Sequence, residues 1–313
     1  MTRPFRRLFL AMAATTFLGA CSDGSDGGGS VFQLQGCADT GTCAPNPTLE
    51  IGGERPAMVA IPADYDINQR YPLVMVLHGR GVDGFIQSLY FGLFDRVESE
   101  KFVLVYPDGL IRNERRQWAS TPTCCDTPPE EAAAISDAPY LTALIEEAAA
   151  TYSIDTSRIG LIGHSSGGFM ALTMACEASH LVTAAVNLAG STFVDLERCQ
   201  PADNRVSVLT IHGDLDDTVF FEGIEDVYLS APEVGERYAL LAGCDVDNPS
   251  AGPDVDLIAN IDGAETSITR WDSCLSGAEV EFWKMNDGPH IPGPWVPEGL
   301  DLFVDWLLNR GRG

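Results

Sequence analysis

Residues 158–175 read RIGLIGHSSGGFMALTMA and join two different kinds of apolar segment. The part through Ile162 is a short apolar run typical of a buried strand, and the part from Gly168 onward continues as an apolar helix would. Between them lies GHSSG at 163–167, with a glycine at each end. Because glycine has no side chain, two backbones can approach closely there. The stretch therefore predicts a strand, a tight turn that carries Ser165, and a helix.

Strand and helix patterns alternate on both sides of this stretch. Continuous apolar runs at 73–77 and 102–106 predict strands, and we predict further strands at 182–188, 206–211 and 280–285. Helical spacing occupies 138–152 and 300–308. Continuous apolar runs are typical of parallel strands that are covered on both faces. The sequence predicts an α/β fold with a largely parallel sheet flanked by helices. The stretches 110–136 and 244–276 show neither pattern, and we predict long loops there.

The pentapeptide at 163–167 fits Gly-x-Ser-x-Gly, which carries a nucleophilic serine when a strand precedes it and a helix follows. Ser165 is therefore the candidate nucleophile, and an ordinary strand-to-helix turn is the alternative. A serine hydroxyl needs a histidine base that a carboxylate orients. In α/β-hydrolases the order along the chain is Ser, acid, His. His290 is the candidate base, because the other four histidines come too early for that order.

The candidate acid lies in HGDLDDTV at 212–219, directly after a predicted strand. Three aspartates compete for this role: Asp214, Asp216 and Asp217. The pattern G-x-x-D-x-x-V favours Asp216, with Val219 anchoring the loop on the core, and Asp217 is the second choice. No calcium-loop spacing of the EF-hand type is present.

A tetrahedral intermediate needs two backbone N–H donors, one of them directly after the nucleophile. Ser166 is in that position. The second donor is expected in the loop after an early strand, and LHGRG at 77–81 makes Arg80 the candidate. The Arg80 side chain could form a salt bridge to one of the many acids or bind an acid or phenol of the substrate.

The N-terminal residues have the pattern of an export signal. Arg3, Arg6 and Arg7 precede the apolar run 8–19, which is too short to span a bilayer as a mature helix. The run ends in LGAC, which resembles a bacterial lipobox, so Cys21 is the candidate lipidated residue. An ordinary secretory signal is the alternative.

These features divide the chain into three parts. We predict a lipoprotein signal peptide at 1–20, a flexible tether with Cys37 and Cys43 at 21–47, and a catalytic domain at 48–313. The tether contains SDGSDGGGS, whose residue types cannot form a core. The mature protein is expected on the membrane, facing the periplasm or the cell exterior, or secreted.

Eight cysteines follow Cys21, and an export compartment permits disulfides. Eight cysteines allow on the order of a hundred pairings. The pairs that we favour are Cys37 with Cys43, Cys176 with Cys199, and Cys244 with Cys274. Adjacent Cys124 and Cys125 are left unassigned.

The chain is strongly acidic, with 45 acidic and 19 basic residues and a formal net charge of −26. Loss of residues 1–20 would deepen this charge to −29. A polyphosphate needs a basic face, so nucleic acid is excluded as a partner. Anionic lipid would also be repelled, which leaves the lipid anchor as the predicted membrane contact. No metal or cofactor is expected, and carboxylate products should be repelled.

Several motifs occur in a characteristic order: PLVMVLHG at 72–79, VYPDG at 105–109, Trp118 before Cys124-Cys125, GHSSGG at 163–168, HGDLDDTV at 212–219, and GPH at 288–290. This order resembles the polyhydroxybutyrate depolymerase/feruloyl esterase group of secreted α/β-hydrolases. The resemblance covers roughly residues 50–310. It implies the α/β-hydrolase fold, a triad of Ser165, Asp216 and His290, and a disulfide between Cys244 and Cys274.

Two residues depart from that group. Arg80 stands where relatives often have a cysteine or an apolar residue. Trp295 is displaced from the usual position directly after the histidine, so the sequence does not show which side chain forms an aromatic wall for an acyl group.

We therefore predict a serine esterase that acts on small or oligomeric carboxylic esters of feruloyl, acetyl or hydroxyalkanoate type. A serine peptidase on the same fold is one alternative. A surface lipoprotein that binds a ligand without turnover is the other.

Overall fold

The computed structural model describes residues 34–120, 136–201, 203, 205–274 and 277–312. The predicted signal peptide, Cys21 and the Cys124-Cys125 pair lie outside the described residues. Within these ranges, no helix is both long enough and apolar enough to cross a bilayer.

The described chain forms one large sheet and a separate hairpin. The strands are β1 (Glu50–Ile51), β2 (Ala57–Ala60), β3 (Tyr71–Leu77), β4 (Val103–Pro107), β5 (Leu110–Arg112), β6 (Arg115–Gln117), β7 (Ile154–His164), β8 (Ala184–Leu188), β9 (Ser207–Gly213), β10 (Ser250–Ala251), β11 (Thr266–Trp271) and β12 (Val280–Met285). The large sheet has the order β1-β2-β4-β3-β7-β8-β9-β12-β11-β10. From β4 to β12 all neighbours in this order are parallel, and both flanks are antiparallel. The predicted largely parallel sheet is confirmed.

Helices cover both faces of the sheet. They are α1 (Cys37–Thr40), α2 (Gly84–Tyr90), α3 (Leu93–Glu100), α4 (Ala138–Thr151), α5 (Ser166–Glu177), α6 (Ala231–Leu241) and α7 (Pro297–Leu308). Apolar residues of α4, α5 and α6 pack on one face, and those of α3 and α7 pack on the other.

The side chains of β3 show why its sequence is continuously apolar. Leu73, Met75 and Leu77 pack on the face covered by α4, α5 and α6, whereas Val74 and Val76 pack on the opposite face. A strand buried on both faces needs apolar residues at every position. Because the central strands are parallel, their carboxyl ends lie at one edge of the sheet, and the loops at that edge can meet.

The prediction of long loops at 110–136 and 244–276 is wrong in part. β5 and β6 form a hairpin within the first stretch. β10 and β11 lie within the second, where they pair with each other, and β11 also pairs with β12 beyond it. β11 reads TSITRW and is buried mainly at alternate positions. An antiparallel strand with one solvated face lacks the continuous apolar run that marks a parallel strand, so the sequence pattern missed it.

The three favoured disulfides are present: Cys37–Cys43, Cys176–Cys199 and Cys244–Cys274. The first of them changes the predicted boundary of the tether. Cys37 is buried, and Asp39 forms an ion pair with Arg70 at 2.7 Å. Residues 37–43 therefore belong to the folded body, and the prediction of a flexible tether is wrong for this segment, because the disulfide and the burial hold it in place.

Candidate active site

The turn between β7 and α5 places Ser165 in an unusual backbone conformation. Its φ is 55° and its ψ is −120°, a combination that side-chain-bearing residues rarely adopt. A Cβ atom on Gly167 would overlap the carbonyl oxygen of Leu77, and one on Gly163 would overlap that of Gly167. The glycines of the pentapeptide are therefore required by close backbone approach, as the sequence predicted, and the turn lifts Ser165 above the sheet edge.

Ser165, His290 and Asp216 form one continuous chain of hydrogen bonds. The Ser165 hydroxyl donates to His290 Nε2, and the two atoms are 3.0 Å apart. His290 Nδ1–H donates to Asp216 Oδ2 at 2.7 Å. The three residues follow β7, β12 and β9, whose carboxyl ends lie at the same edge of the sheet. The arrangement allows the serine proton to pass to a histidine that a carboxylate orients.

The Asp216 side chain is fully buried and has several donors around it. Its Oδ1 accepts from the backbone N–H groups of Thr218 and Val219, at 2.9 and 2.8 Å. Burial alone would raise the pKa of Asp216, but hydrogen bonds from His212 and His290 hold this pKa well below its usual range. The carboxylate is therefore ionised at neutral pH and can stabilise an imidazolium.

The other two aspartates of the loop bind elsewhere. Asp214 forms an ion pair with Lys284 at 2.9 Å and accepts from the backbone N–H of Asp287. Asp217 is exposed and accepts from the Thr218 hydroxyl at 3.1 Å. The structure thus brings Asp216 to His290 and gives its two neighbours other partners.

The loop after β3 lies next to Ser165 and is held from several sides. Gly109 N–H donates to His78 Nε2 at 2.8 Å, which leaves Nδ1 of the same ring to donate to the Gly79 carbonyl at 2.7 Å. Gly79 N–H in turn donates to Gln87 Oε1 at 3.0 Å. Arg80 follows directly and borders the same pocket as Ser165. The candidate oxyanion donor therefore belongs to a loop whose backbone is fixed.

Ser166 is the first residue of α5, and its hydroxyl accepts from the backbone N–H of Trp118 at 3.2 Å. Its own N–H is thus at the helix N-terminus, where backbone donors have no partner within the helix. An oxyanion formed on a substrate at Ser165 would lie close to this end of the helix.

Two buried histidines that sequence reasoning set aside also contact the site. His164 Nε2 lies 2.9 Å from the His290 carbonyl oxygen, and burial lowers the pKa of His164 to about 4, so the ring is neutral and donates there. His212 Nε2 lies 2.8 Å from the Val219 carbonyl and 3.1 Å from Asp216 Oδ2. Chain order excluded both as the base. His164 lies in GHSSG at the end of β7, and His212 lies in HGDLDDTV at the end of β9. These positions were the sequence signal that could have indicated a supporting role.

A pocket of about 450 Å³ opens over Ser165. It is lined by Gly79, Arg80, Val82, Ile86, Gln87, Tyr90, Arg115, His164, Ser165, Thr218, His290 and Ile291. Val82, Ile86, Tyr90 and Ile291 give it an apolar wall. Sequence reasoning missed all four, because Val82, helix α2 and the residue after His290 belong to no motif.

Trp295 is not among the residues that line this pocket. Its ring packs edge-on against Tyr90, with 5.6 Å between the ring centroids, and against Phe303 at 5.5 Å. The Tyr90 hydroxyl donates to the Pro292 carbonyl at 2.7 Å. Tyr90 therefore supplies the aromatic surface in the pocket, and the displaced tryptophan supports it from behind. Across the described part of the chain, no group of His, Cys, Asp and Glu is arranged to hold a metal ion.

Comparison with known proteins places this geometry in context. The family model described as “Phospholipase/Carboxylesterase” matches residues 65–227. The chain is 27% identical over 228 residues to “Probable feruloyl esterase C” of Aspergillus niger, covering 69% of this chain and 74% of that protein. It is 23% identical over 291 residues to feruloyl esterase D of Neurospora crassa, covering 87% and 89%.

Among solved structures, the acetyl xylan esterase from Aspergillus awamori is similar, with a TM-score of 0.57 and 16% sequence identity. The likeness covers 82% of this chain and 97% of that one. At this level of identity the comparison shows that the two proteins share a fold.

Proposed function

The chain belongs to the phospholipase/carboxylesterase family, so it is a carboxylic ester hydrolase, and we propose that its reaction runs through a covalent acyl-enzyme on Ser165. The observation that carries the proposal is the unbroken chain of hydrogen bonds from Ser165 through His290 to Asp216. Ser165, at the start of these hydrogen bonds, lines a pocket that is large enough for a small ester.

In the first half of the reaction, Ser165 Oγ attacks the ester carbonyl carbon while His290 Nε2 takes the hydroxyl proton. Asp216 stabilises the imidazolium that forms. The backbone N–H groups of Arg80 and Ser166 bind the negative oxygen of the tetrahedral intermediate. When the intermediate collapses, His290 gives the proton to the leaving alcohol and the acyl group stays on Ser165.

In the second half, a water molecule takes the place of the alcohol. His290 removes a proton from the water as its oxygen attacks the acyl carbon. The second tetrahedral intermediate releases the carboxylic acid, and the proton returns to Ser165. One ester and one water thus give one acid and one alcohol, and the enzyme is unchanged.

Feruloyl, acetyl and hydroxyalkanoate esters are the substrate types that we propose. Two similar curated proteins are named as feruloyl esterases, which supports the first type. The apolar wall of Val82, Ile86, Tyr90 and Ile291 would pack against an aryl or short alkyl acyl group.

The test is a comparison of kcat/KM across chemical classes. We expect measurable hydrolysis of p-nitrophenyl acetate, methyl ferulate and methyl hydroxybutyrate, and none of p-nitroanilide peptides. Cleavage of the peptides alone would show a serine peptidase. Saturable binding of the esters without product release would show a ligand-binding protein, and either result would contradict the esterase proposal.

We also propose that Cys21 carries a lipid that anchors the mature protein. The three disulfides of the described body are typical of exported proteins, and LGAC at 18–21 has the form of a lipidation site. In a bacterial host we expect the wild type to enter the detergent phase and take up labelled palmitate. Cys21→Ser should do neither, whereas Ser25→Ala should behave as wild type. An unlabelled wild type would contradict the anchor.

A further inference from the structure

Among the described residues, the charged side chains that line the pocket over Ser165 are opposite in sign to the net charge of the protein. The chain has 45 acidic and only 19 basic residues. Yet the charged side chains that line the pocket are Arg80 and Arg115, and no Asp or Glu of the described chain lines it. Within the described chain, the wall of the pocket therefore presents positive side chains where substrate would enter.

Arg115 differs from its neighbours on the β5–β6 hairpin. Arg112 forms an ion pair with Asp137 at 3.3 Å, and Arg116 forms one with Asp108 at 3.1 Å. For Arg115, which is exposed, no carboxylate of the described residues lies within ion-pairing distance. Asp137 and Asp108 thus neutralise Arg112 and Arg116, whereas Arg115 lines the pocket.

The backbone of the hairpin fixes Arg115 relative to the reaction centre. The N–H of Gly81, next to the candidate oxyanion donor Arg80, donates to the Arg116 carbonyl at 2.8 Å. Arg116 also donates to the Gly109 carbonyl at 3.1 Å. Arg80 has further contacts within the chain, so Arg115 is the guanidinium on which the following inference depends.

We propose that the preferred substrates are carboxylic esters that bear a second, anionic carboxylate group, which Arg115 binds. A guanidinium offers paired N–H donors that match such oxyanions. The apolar wall formed by Val82, Ile86, Tyr90 and Ile291 would meanwhile hold the uncharged part of the ester. The inference rests on the proposed esterase function.

This assignment reverses one expectation from the sequence. Net charge alone predicts that carboxylate products are repelled, but the lining of the pocket attracts an anion over the last few ångströms. Long-range repulsion and short-range attraction respond differently to salt, because a contact ion pair at a pocket edge is screened less than a dispersed surface charge. The two effects can therefore be separated by experiment.

The experiment uses two matched pairs of esters with the mature protein. For an anion on the acyl side, the pair is mono-p-nitrophenyl glutarate and p-nitrophenyl pentanoate. For an anion on the alcohol side, it is p-carboxyphenyl acetate and its methyl ester. In at least one pair, we expect the wild type to show a kcat/KM about fivefold or more higher for the anionic ester.

Substitutions then assign the preference to Arg115. Arg115→Gln should abolish the preference for the anionic ester, and its retained hydrolysis of the neutral ester would show that the variant is folded. Arg115→Glu should reverse the preference, so that the neutral ester has the higher kcat/KM. Arg70→Gln removes the same charge far from the pocket, beside Cys37, and should keep the preference of the wild type.

Hydrolysis of neutral esters without a preference in either pair would overturn the inference and leave the esterase function intact. A preference that survives in Arg115→Gln would overturn it as well. Failure to hydrolyse any of the four esters would overturn the esterase proposal and this inference together.

Discussion

Ser165→Ala should lower kcat for p-nitrophenyl butyrate by roughly 10⁵-fold, because it removes the hydroxyl that His290 would deprotonate to form the acyl-enzyme. The hydroxyl lies 3.0 Å from His290 Nε2 and at the floor of the pocket. The activity that remains would come from attack of water on the bound ester, with the oxyanion donors stabilising the intermediate. The measurement is steady-state hydrolysis, together with labelling by a serine-reactive fluorophosphonate, which should mark the wild type and leave the variant unmarked.

The matched control is Ser157→Ala, which removes the same atom from the other end of β7. The Ser157 hydroxyl donates to Asp155 at 2.6 Å, so its loss should affect stability by about 1 kcal/mol and leave kcat unchanged. Equal thermal unfolding temperatures of the wild type and Ser165→Ala would show that the loss of activity does not result from loss of the fold. If Ser165→Ala keeps its activity or its label, the nucleophile is another residue.

The sequence was sufficient for the centre of the fold because burial there leaves a direct pattern. The run at 73–77 lies within β3, since a parallel strand under two layers of helix must be apolar at every position. The same pattern could not show β10 and β11, which are antiparallel and near an edge of the sheet.

For a similar reason, some residues of the site could be predicted from the sequence and others could not. Ser165 and His290 follow from a local motif and from chain order, and the structure brings them into contact. Arg115 and Tyr90 could not be found that way. They reach the pocket through a hairpin and a helix whose approach depends on contacts between distant segments, such as Gly81 with Arg116.

The loop at 212–219 lies between these cases. Spacing favoured Asp216 over Asp214 and Asp217, but three acids in four residues leave a real choice. The structure distinguishes them by burial and partners: Asp216 is fully buried against His290, whereas Asp214 pairs with Lys284. Each of the three can be changed to asparagine with the same loss of charge, which makes the loop a controlled experiment.

Asp216→Asn should lower kcat by about 10⁴-fold with little change in KM. An amide keeps the size of the carboxylate but cannot stabilise an imidazolium, and its N–H₂ group can force His290 into the tautomer with the proton on Nε2. That tautomer cannot accept the proton of Ser165. Steady-state kinetics on p-nitrophenyl butyrate measure the effect, and Asp214→Asn and Asp217→Asn should stay within about threefold of the wild type, because neither contacts His290.

The same variant should change how stability depends on pH. Since the pKa of Asp216 is held below its usual range in the folded protein, its carboxylate stabilises the fold above the pKa of the unfolded chain, and this contribution is lost as pH falls through the folded value. Asp216→Asn lacks that contribution, so its deficit in the free energy of unfolding should be full at neutral pH and shrink in acid.

Should Asp217→Asn, rather than Asp216→Asn, abolish turnover, the orienting acid would be Asp217 and the loop would have to rearrange during catalysis.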